Sequence, residues 1–234
     1  MKFIIAFVPV ALFAASAAWA GAIIVRSTGP SAKSLPPGKS LPAAAKLSLK
    51  DGDAVTILDS GGTRVFTGPG TFAVISSGPS TGSSFAQFLQ NVGGRQSRSA
   101  ASRGDYGMGQ GQSPNIWFAD ITKPGPLCIV DPAAVYLWRP TPAKPLTVTL
   151  TQSSTGKMAK VQFGKGQAVQ PWPVAVLPVT DLAQYQLTVG GHSGPVTITL
   201  RRLRAEPVGL EDTASALIKN GCSAQTDLLV DTVS

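Results

Sequence analysis

From residue 22 onward the apolar residues of this chain fall in short runs, and a turn rich in glycine or proline breaks them about every 8–10 residues. That rhythm leaves too little length for helices and predicts β-strands joined by tight turns. In the first stretch the strands are Ala22-Ile23-Ile24-Val25, Leu47-Ser48-Leu49, Val55-Thr56-Ile57-Leu58, Thr63-Arg64-Val65-Phe66 and Thr71-Phe72-Ala73-Val74-Ile75. Between them lie a Ser27–Ala43 loop rich in Pro, Ser and Gly, and the turns Asp51-Gly52-Asp53, Ser60-Gly61-Gly62 and Gly68-Pro69-Gly70. Further along, strands are predicted at Ile116-Trp117-Phe118, Leu127-Cys128-Ile129-Val130, Val135-Tyr136-Leu137-Trp138 and Leu146-Thr147-Val148-Thr149-Leu150. Four more follow at Lys160–Phe163, Val174–Leu177, Tyr185–Val189 and Val196–Leu200. Strands with alternating faces in this number predict a β-sandwich. The 25 glycines and 19 prolines fit turn-rich β structure, because a 43% apolar fraction is enough to build a core.

Two segments break the β rhythm. Ser84 is placed to cap a short helix over 85–92, with Phe85, Phe88, Leu89 and Val92 on one face. Gly93-Gly94 ends it, and the run to Ser113 carries Arg95, Arg98 and Arg103 among Gly and Ser. This composition predicts a flexible basic linker. Near the C-terminus, Leu210, Ala214, Leu217 and Ile218 make a helical stripe that Gly221 stops, and Ser223 opens a second short helix through Val230. The expected fold is therefore mainly β: a small β domain followed by a β-sandwich with short C-terminal helices. The expected divisions are 1–20, a signal peptide; 21–77, the small β domain; 78–115, helix and linker; 116–204, the sandwich; and 205–234, the helical segment.

The first unit also carries a family likeness. Leu47-x-Leu49-x-x-Gly52-Asp53, Val55-x-Ile57-Leu58, Gly62-x-Arg64-x-Phe66-x-Gly68-Pro69-Gly70 and Phe72-x-Val74 together resemble the FecR domain, a small β domain of bacterial envelope and signalling proteins. The likeness covers about 55 residues. It implies a FecR-like β fold for 21–77 and an envelope setting. Only Lys2 precedes the apolar N-terminal stretch, so the cytoplasmic anti-sigma segment of the ferric-citrate regulators has no counterpart, and their transmembrane relay is not implied.

Residues 1–20 have the form of an export signal. Met1-Lys2 is positive, Phe3–Ala18 is apolar apart from Pro9 and Ser16, and Ala18-Trp19-Ala20 suits a signal peptidase. Cleavage is expected between Ala20 and Gly21, giving a periplasmic or secreted protein. No second long apolar run exists, so no transmembrane span is expected in the mature chain. The net charge of +8 falls to +7 when Lys2 is removed. Export makes nucleic acid an unsuitable partner. The polyanions of the envelope are lipid headgroups, lipopolysaccharide and acidic glycans, with Arg95, Arg98 and Arg103 as the candidate binding residues. Cys128 and Cys222 form an even pair, which in an oxidising compartment predicts a disulfide. That bond would staple the C-terminal helical segment to the sandwich.

Catalytic and cofactor motifs have only weak counterparts in the sequence. Ser154-Thr155-Gly156-Lys157 fits the Ser-x-x-Lys of acylating enzymes, whose serine must stand at a helix N-terminus, yet Gly156 suits a hairpin turn better. Gly38-Lys39-Ser40 lacks the earlier glycine of a phosphate loop, since Lys33 stands there. His192, the single histidine, sits in a predicted hairpin tip, Gly190–Gly194. Asp51-Gly52-Asp53 lacks the remainder of a calcium loop and is expected to be a turn. Trp117, Trp138 and Trp172 are candidates for a sugar-stacking platform, although such residues more commonly fill a sandwich core. No catalytic residue, cofactor or metal ligand is assigned. The expected function is that of an exported, non-catalytic envelope protein, a binding, structural or sensory module for a protein or an anionic surface. The alternative is a peptidoglycan- or carbohydrate-acting hydrolase using a carboxylate pair that sequence does not mark.

Overall fold

The first unit owes its shape to one strand that is apolar on both faces. In the computed structural model, which describes residues 21–74, 111–190 and 194–233, β1 (Ala22–Thr28) buries all four residues of its Ala-Ile-Ile-Val run. Ala22 and Ile24 enter a small core with Leu47, Leu49, Val55 and Ile57. Ile23 and Val25 face the other way, into a second core that contains the C-terminal helices. A continuous apolar run marks such a two-sided strand, whereas a strand with one wet face alternates. β1 lies inside an antiparallel sheet of order β2-β1-β4-β5, formed with β2 (Ser40–Leu41), β4 (Ala54–Asp59) and β5 (Gly62–Thr67). β3 (Lys46–Leu49) and β6 (Gly70–Ala73) pair as a separate ribbon. Glycine is obligatory at Gly29 and Gly68. A Cβ on Gly29, whose φ is +96°, would strike the Gly52 carbonyl, and one on Gly68 would strike the Lys50 carbonyl. The Gly68–Pro69 peptide is cis.

The second unit is a β-sandwich. Its larger sheet has the order β11-β10-β13-β14-β8, built from β8 (Gly125–Ile129), β10 (Leu146–Gln152), β11 (Met158–Phe163), β13 (Gln184–Val189) and β14 (Val196–Arg202). The smaller sheet has the order β12-β9-β7, built from β7 (Ala119–Asp120), β9 (Tyr136–Trp138) and β12 (Val169–Pro171). Between the sheets lies a core that includes Leu137, Val148, Leu150, Phe163, Trp172, Tyr185, Leu187 and Leu200. Strict alternation along β11 and β13 places every second residue in that core. Two pairings are parallel, β14 with β8 and β7 with β9.

Two predicted strands are not strands. At Ile116-Trp117-Phe118 the Asn115 side chain accepts the Trp117 amide at 2.8 Å and its carbonyl accepts the Phe118 amide at 3.2 Å, which turns the chain. At Val174–Leu177 the flanking Pro173 and Pro178 close the segment into a turn, with the Val176 and Leu177 amides bonding back to the Pro173 carbonyl. Trp172 Nε1 donates to the Leu177 carbonyl at 2.8 Å and fixes that turn over the core.

The C-terminal helices form a shared layer. In α1 (Gly209–Lys219), Leu210, Thr213, Ala214 and Leu217 are buried, as the apolar stripe predicts. Gly221, at φ +69°, ends it, and the Cys222 amide returns to the Leu217 carbonyl at 2.9 Å. α2 (Ser223–Thr232) follows at once. Both helices join one core with Ile23, Val25 and Leu58 of the first sheet and with Ile116, Cys128 and Leu203 of the second unit. The helical segment therefore covers the first sheet as well as the sandwich. Arg26 of β1 reaches Asp227 and Asp231, one turn apart on α2, at 2.7 and 3.4 Å. The Thr63 amide of β5 donates to the Val233 carbonyl at 3.2 Å.

Candidate functional site

The geometry of the β10–β11 hairpin decides what its outer strand offers to solvent. Leu146 stands opposite Phe163, and the register runs without a break to Thr151 opposite Met158. The Gln152 amide donates to the Lys157 carbonyl at 2.9 Å, and the Ser153 amide donates across the other side of β10 to the Gln184 carbonyl at 2.9 Å. Antiparallel ladders alternate bonded and non-bonded pairs. The β11 residues that bond to β10 are therefore Ala159, Val161 and Phe163. The backbone N–H and C=O groups of Met158, Lys160 and Gln162 point away from β10, where β11 is the last strand of the sheet among the described residues. Their side chains are exposed, Met158 by 64%.

Ser154-Thr155-Gly156-Lys157 is the tip of this hairpin. Gly156 sits at φ +68°, and the Thr155 hydroxyl donates to Gln152 Oε1 at 2.8 Å. Ser154 is exposed and stands in a turn, not at a helix N-terminus. Beside it lies an open depression of about 400 Å³, lined by Ser153, Ser154, Asp181, Leu182, Ala183 and Gln184. Leu182 is 63% exposed and adopts φ +61°, a conformation that costs a non-glycine residue about 1–2 kcal/mol. Three bonds hold it there: Leu182 N to Leu200 O at 2.8 Å, Leu200 N to Ala183 O at 3.0 Å, and Arg202 N to Asp181 Oδ1 at 2.7 Å.

Charge is distributed unevenly around this hairpin. Between Asp131 and Asp181 the chain contains no acidic residue, yet it carries Arg139, Lys144, Lys157, Lys160 and Lys165. The four lysines are exposed. Arg139 is buried, and its guanidinium donates to the carbonyls of Gln167 (2.8 Å), Lys144 (2.6 Å), Pro142 (3.3 Å) and Gly164 (2.8 Å) over the face of Phe163. Burial lowers its pKa. This residue ties the loop before β10 to the turn after β11, a role for which sequence gave only one signal, a lone arginine beside core residues.

At the far side of the same sheet, β8 is closed. Cys128 and Cys222 are joined, with their Sγ atoms at 1.97 Å and Cα atoms at 5.9 Å, as the sequence predicts. Next to the bond, buried Gln225 accepts the Cys128 amide at 2.6 Å and donates to the Cys128 and Ile116 carbonyls at 2.9 and 2.8 Å. Its side-chain amide thus takes the place of a neighbouring strand along β8. Sequence reasoning missed it; the available signal was a glutamine one turn before the apolar Leu229.

The remaining candidates are dispersed. Asp53 caps its turn, accepting the Ser31 and Lys50 amides at 2.8 and 2.6 Å. Hydrogen bonding from Ser31 holds its carboxyl below the ordinary range, against the opposing effect of burial. Trp138 and Trp172 are buried, Trp172 edge-on to Tyr185 at 4.9 Å, and Trp117 is half-buried against the shared core. Asp59 and Glu211 interact electrostatically, but Asp59 is committed to Arg64 at 2.5 Å and to the Gly61 amide at 2.8 Å. Burial first, and then Asp59, raise the Glu211 pKa. Gly21 begins the described chain; Ala20, the 85–92 helix, Arg95, Arg98, Arg103 and His192 lie outside the described residues. Among the described residues, no group of three or more His, Cys, Asp or Glu is gathered to hold a metal, and no helix is long and apolar enough to cross a membrane. Comparison with protein-family models, with curated proteins and with solved structures finds no match.

Proposed function

We propose that this is an exported, non-catalytic binding module of the cell envelope, with a FecR-like first unit and a sandwich that engages an anionic partner, either a protein or a surface. The observation that carries the reading is the acid-free stretch from 132 to 180, whose lysines stand on and around an open hairpin edge. Clustered lysines attract a partner of opposite charge and speed its approach. The Cys128–Cys222 bond and the export signal support an oxidising location. Arg95, Arg98 and Arg103 carry further positive charge in the sequence.

The test uses mature protein, residues 21–234, with vesicles containing phosphatidylglycerol and with lipopolysaccharide as probes. Retention should fall steeply as salt rises, because attraction is screened within about 8 Å at physiological ionic strength. Replacing Lys144, Lys157, Lys160 and Lys165 by Gln should weaken retention more than replacing Arg95, Arg98 and Arg103. Retention that ignores salt, or that survives both sets of substitutions, would sink the reading.

A further inference from the structure

We propose that the β11 edge takes up an extended, acidic segment of a partner protein as an added strand. This rests on the binding reading above and names the partner's chemistry.

Met158, Lys160 and Gln162 present three backbone N–H and three C=O groups in a row on the open side of β11. An extended peptide of about five or six residues satisfies such a row, which is the mode in which peptides extend sheets. Other strand ends are less suited. β8 is occupied by the Gln225 amide, β5 is met at Thr63 by the Val233 carbonyl, β2 has two residues, and β12 ends in Pro171, which has no N–H. Met158 adds a side chain that adapts to varied neighbours.

Charge selects the occupant. Lys157, Lys160 and Lys165 flank the edge and no acid lies between residues 132 and 180, so cross-strand pairs favour Glu or Asp on the incoming strand. The same charge disfavours a second copy: two β11 strands paired antiparallel about their centres would set Lys160 against Lys160. Lysine on an edge commonly deters pairing with copies. Here it deters like and admits unlike.

The experiment uses disulfide-intact mature protein and three fluorescein-labelled peptides read by anisotropy. One has the sequence Thr-Glu-Val-Glu-Val-Glu-Thr, one replaces each Glu by Lys, and one is the acidic peptide N-methylated at alternate amides. The acidic peptide should bind, and the other two should bind at least about tenfold more weakly, one for charge and one for lost strand pairing. Lys160→Pro removes an outward N–H that takes no part in the β10 ladder, and should weaken the acidic peptide by a similar factor. Should that variant fail to fold, Lys160→Glu with the N-methylated control carries the test, and it should reverse the peptides' order. Equal binding of the N-methylated peptide overturns strand addition, as does absence of binding by the acidic peptide. A dimer of the mature protein that Lys160→Glu disrupts would assign the edge to a second copy and also overturn the proposal. Salt-sensitive vesicle binding without peptide binding would leave the general reading standing and remove this one alone.

Discussion

The two edges of the five-stranded sheet meet solvent in opposite ways. β8 is closed by a covalent bond, by a helix and by a side-chain amide that imitates a strand. Among the described residues β11 pairs on one side only, with its lysine and methionine facing outward. A sheet edge is a row of unsatisfied donors and acceptors, and a protein must pair it, cover it or charge it. This chain covers one edge and charges the other. The covered edge is fixed by contacts made almost a hundred residues apart, so it belongs to stability. The charged edge makes no such contact among the described residues, and under the proposal above it serves recognition.

That contrast can be broken most forcefully at the disulfide. The bond closes a separation of 94 residues. Comparing denaturant unfolding of the oxidised protein with that of a Cys128→Ser/Cys222→Ser variant should show a loss of up to about 4–5 kcal/mol. Thiol titration of the denatured, unreduced parent should find no free thiol. Next comes Gln225→Leu, which strands the Cys128 N–H and two carbonyls in a buried place; a loss of about 3 kcal/mol is expected from urea unfolding. Arg139→Lys tests whether the bare edge depends on an internal frame. Lysine cannot reach four carbonyls at once, and thermal unfolding should show a loss of about 2 kcal/mol.

The smallest effect sharpens the contrast through pH. Glu211 lies in the covering helix α1, and its folded pKa is raised by burial and by Asp59. A carboxyl with a raised folded pKa costs stability fully above that pKa and nothing below its unfolded value. Glu211→Gln should therefore raise the melting temperature slightly at neutral pH and leave it unchanged in acid. Asp53 has the opposite sign. Its lowered pKa stabilises the fold above the unfolded value, and that contribution is lost as pH falls through the folded one. Asp53→Asn should lower the melting temperature at neutral pH and converge with the parent in acid.

The strands were legible wherever alternation reached a turn of Gly or Pro, as in β4, β5, β10, β11, β13 and β14. The cysteine pair was legible because the chain has only two. Ile116–Phe118 and Val174–Leu177 misled because apolar content was read without its flanks: Asn115 bends one and Pro173 with Pro178 the other. The parallel placement of β8 beside β14 left no local mark, since its cause is a long-range fit. Gln225 and Arg139 were opaque for a related reason. A buried amide or guanidinium is tolerated only once its partners are in place, and those partners lie as far as 109 residues away in sequence. The outward-facing row on β11 follows from sequence alternation together with hydrogen-bond parity, and parity exists only in three dimensions.

The shared helical layer also sets an order of events. A chain is synthesised from its N-terminus, so residues 209–233 arrive after both β units. Until they do, the apolar side of β1 has no cover, β8 lacks its substitute neighbour, and the Cys128 thiol has no partner. The last stretch thus acts as a completion signal. A chain cut short before residue 209 would present two uncovered apolar faces and an unpaired thiol.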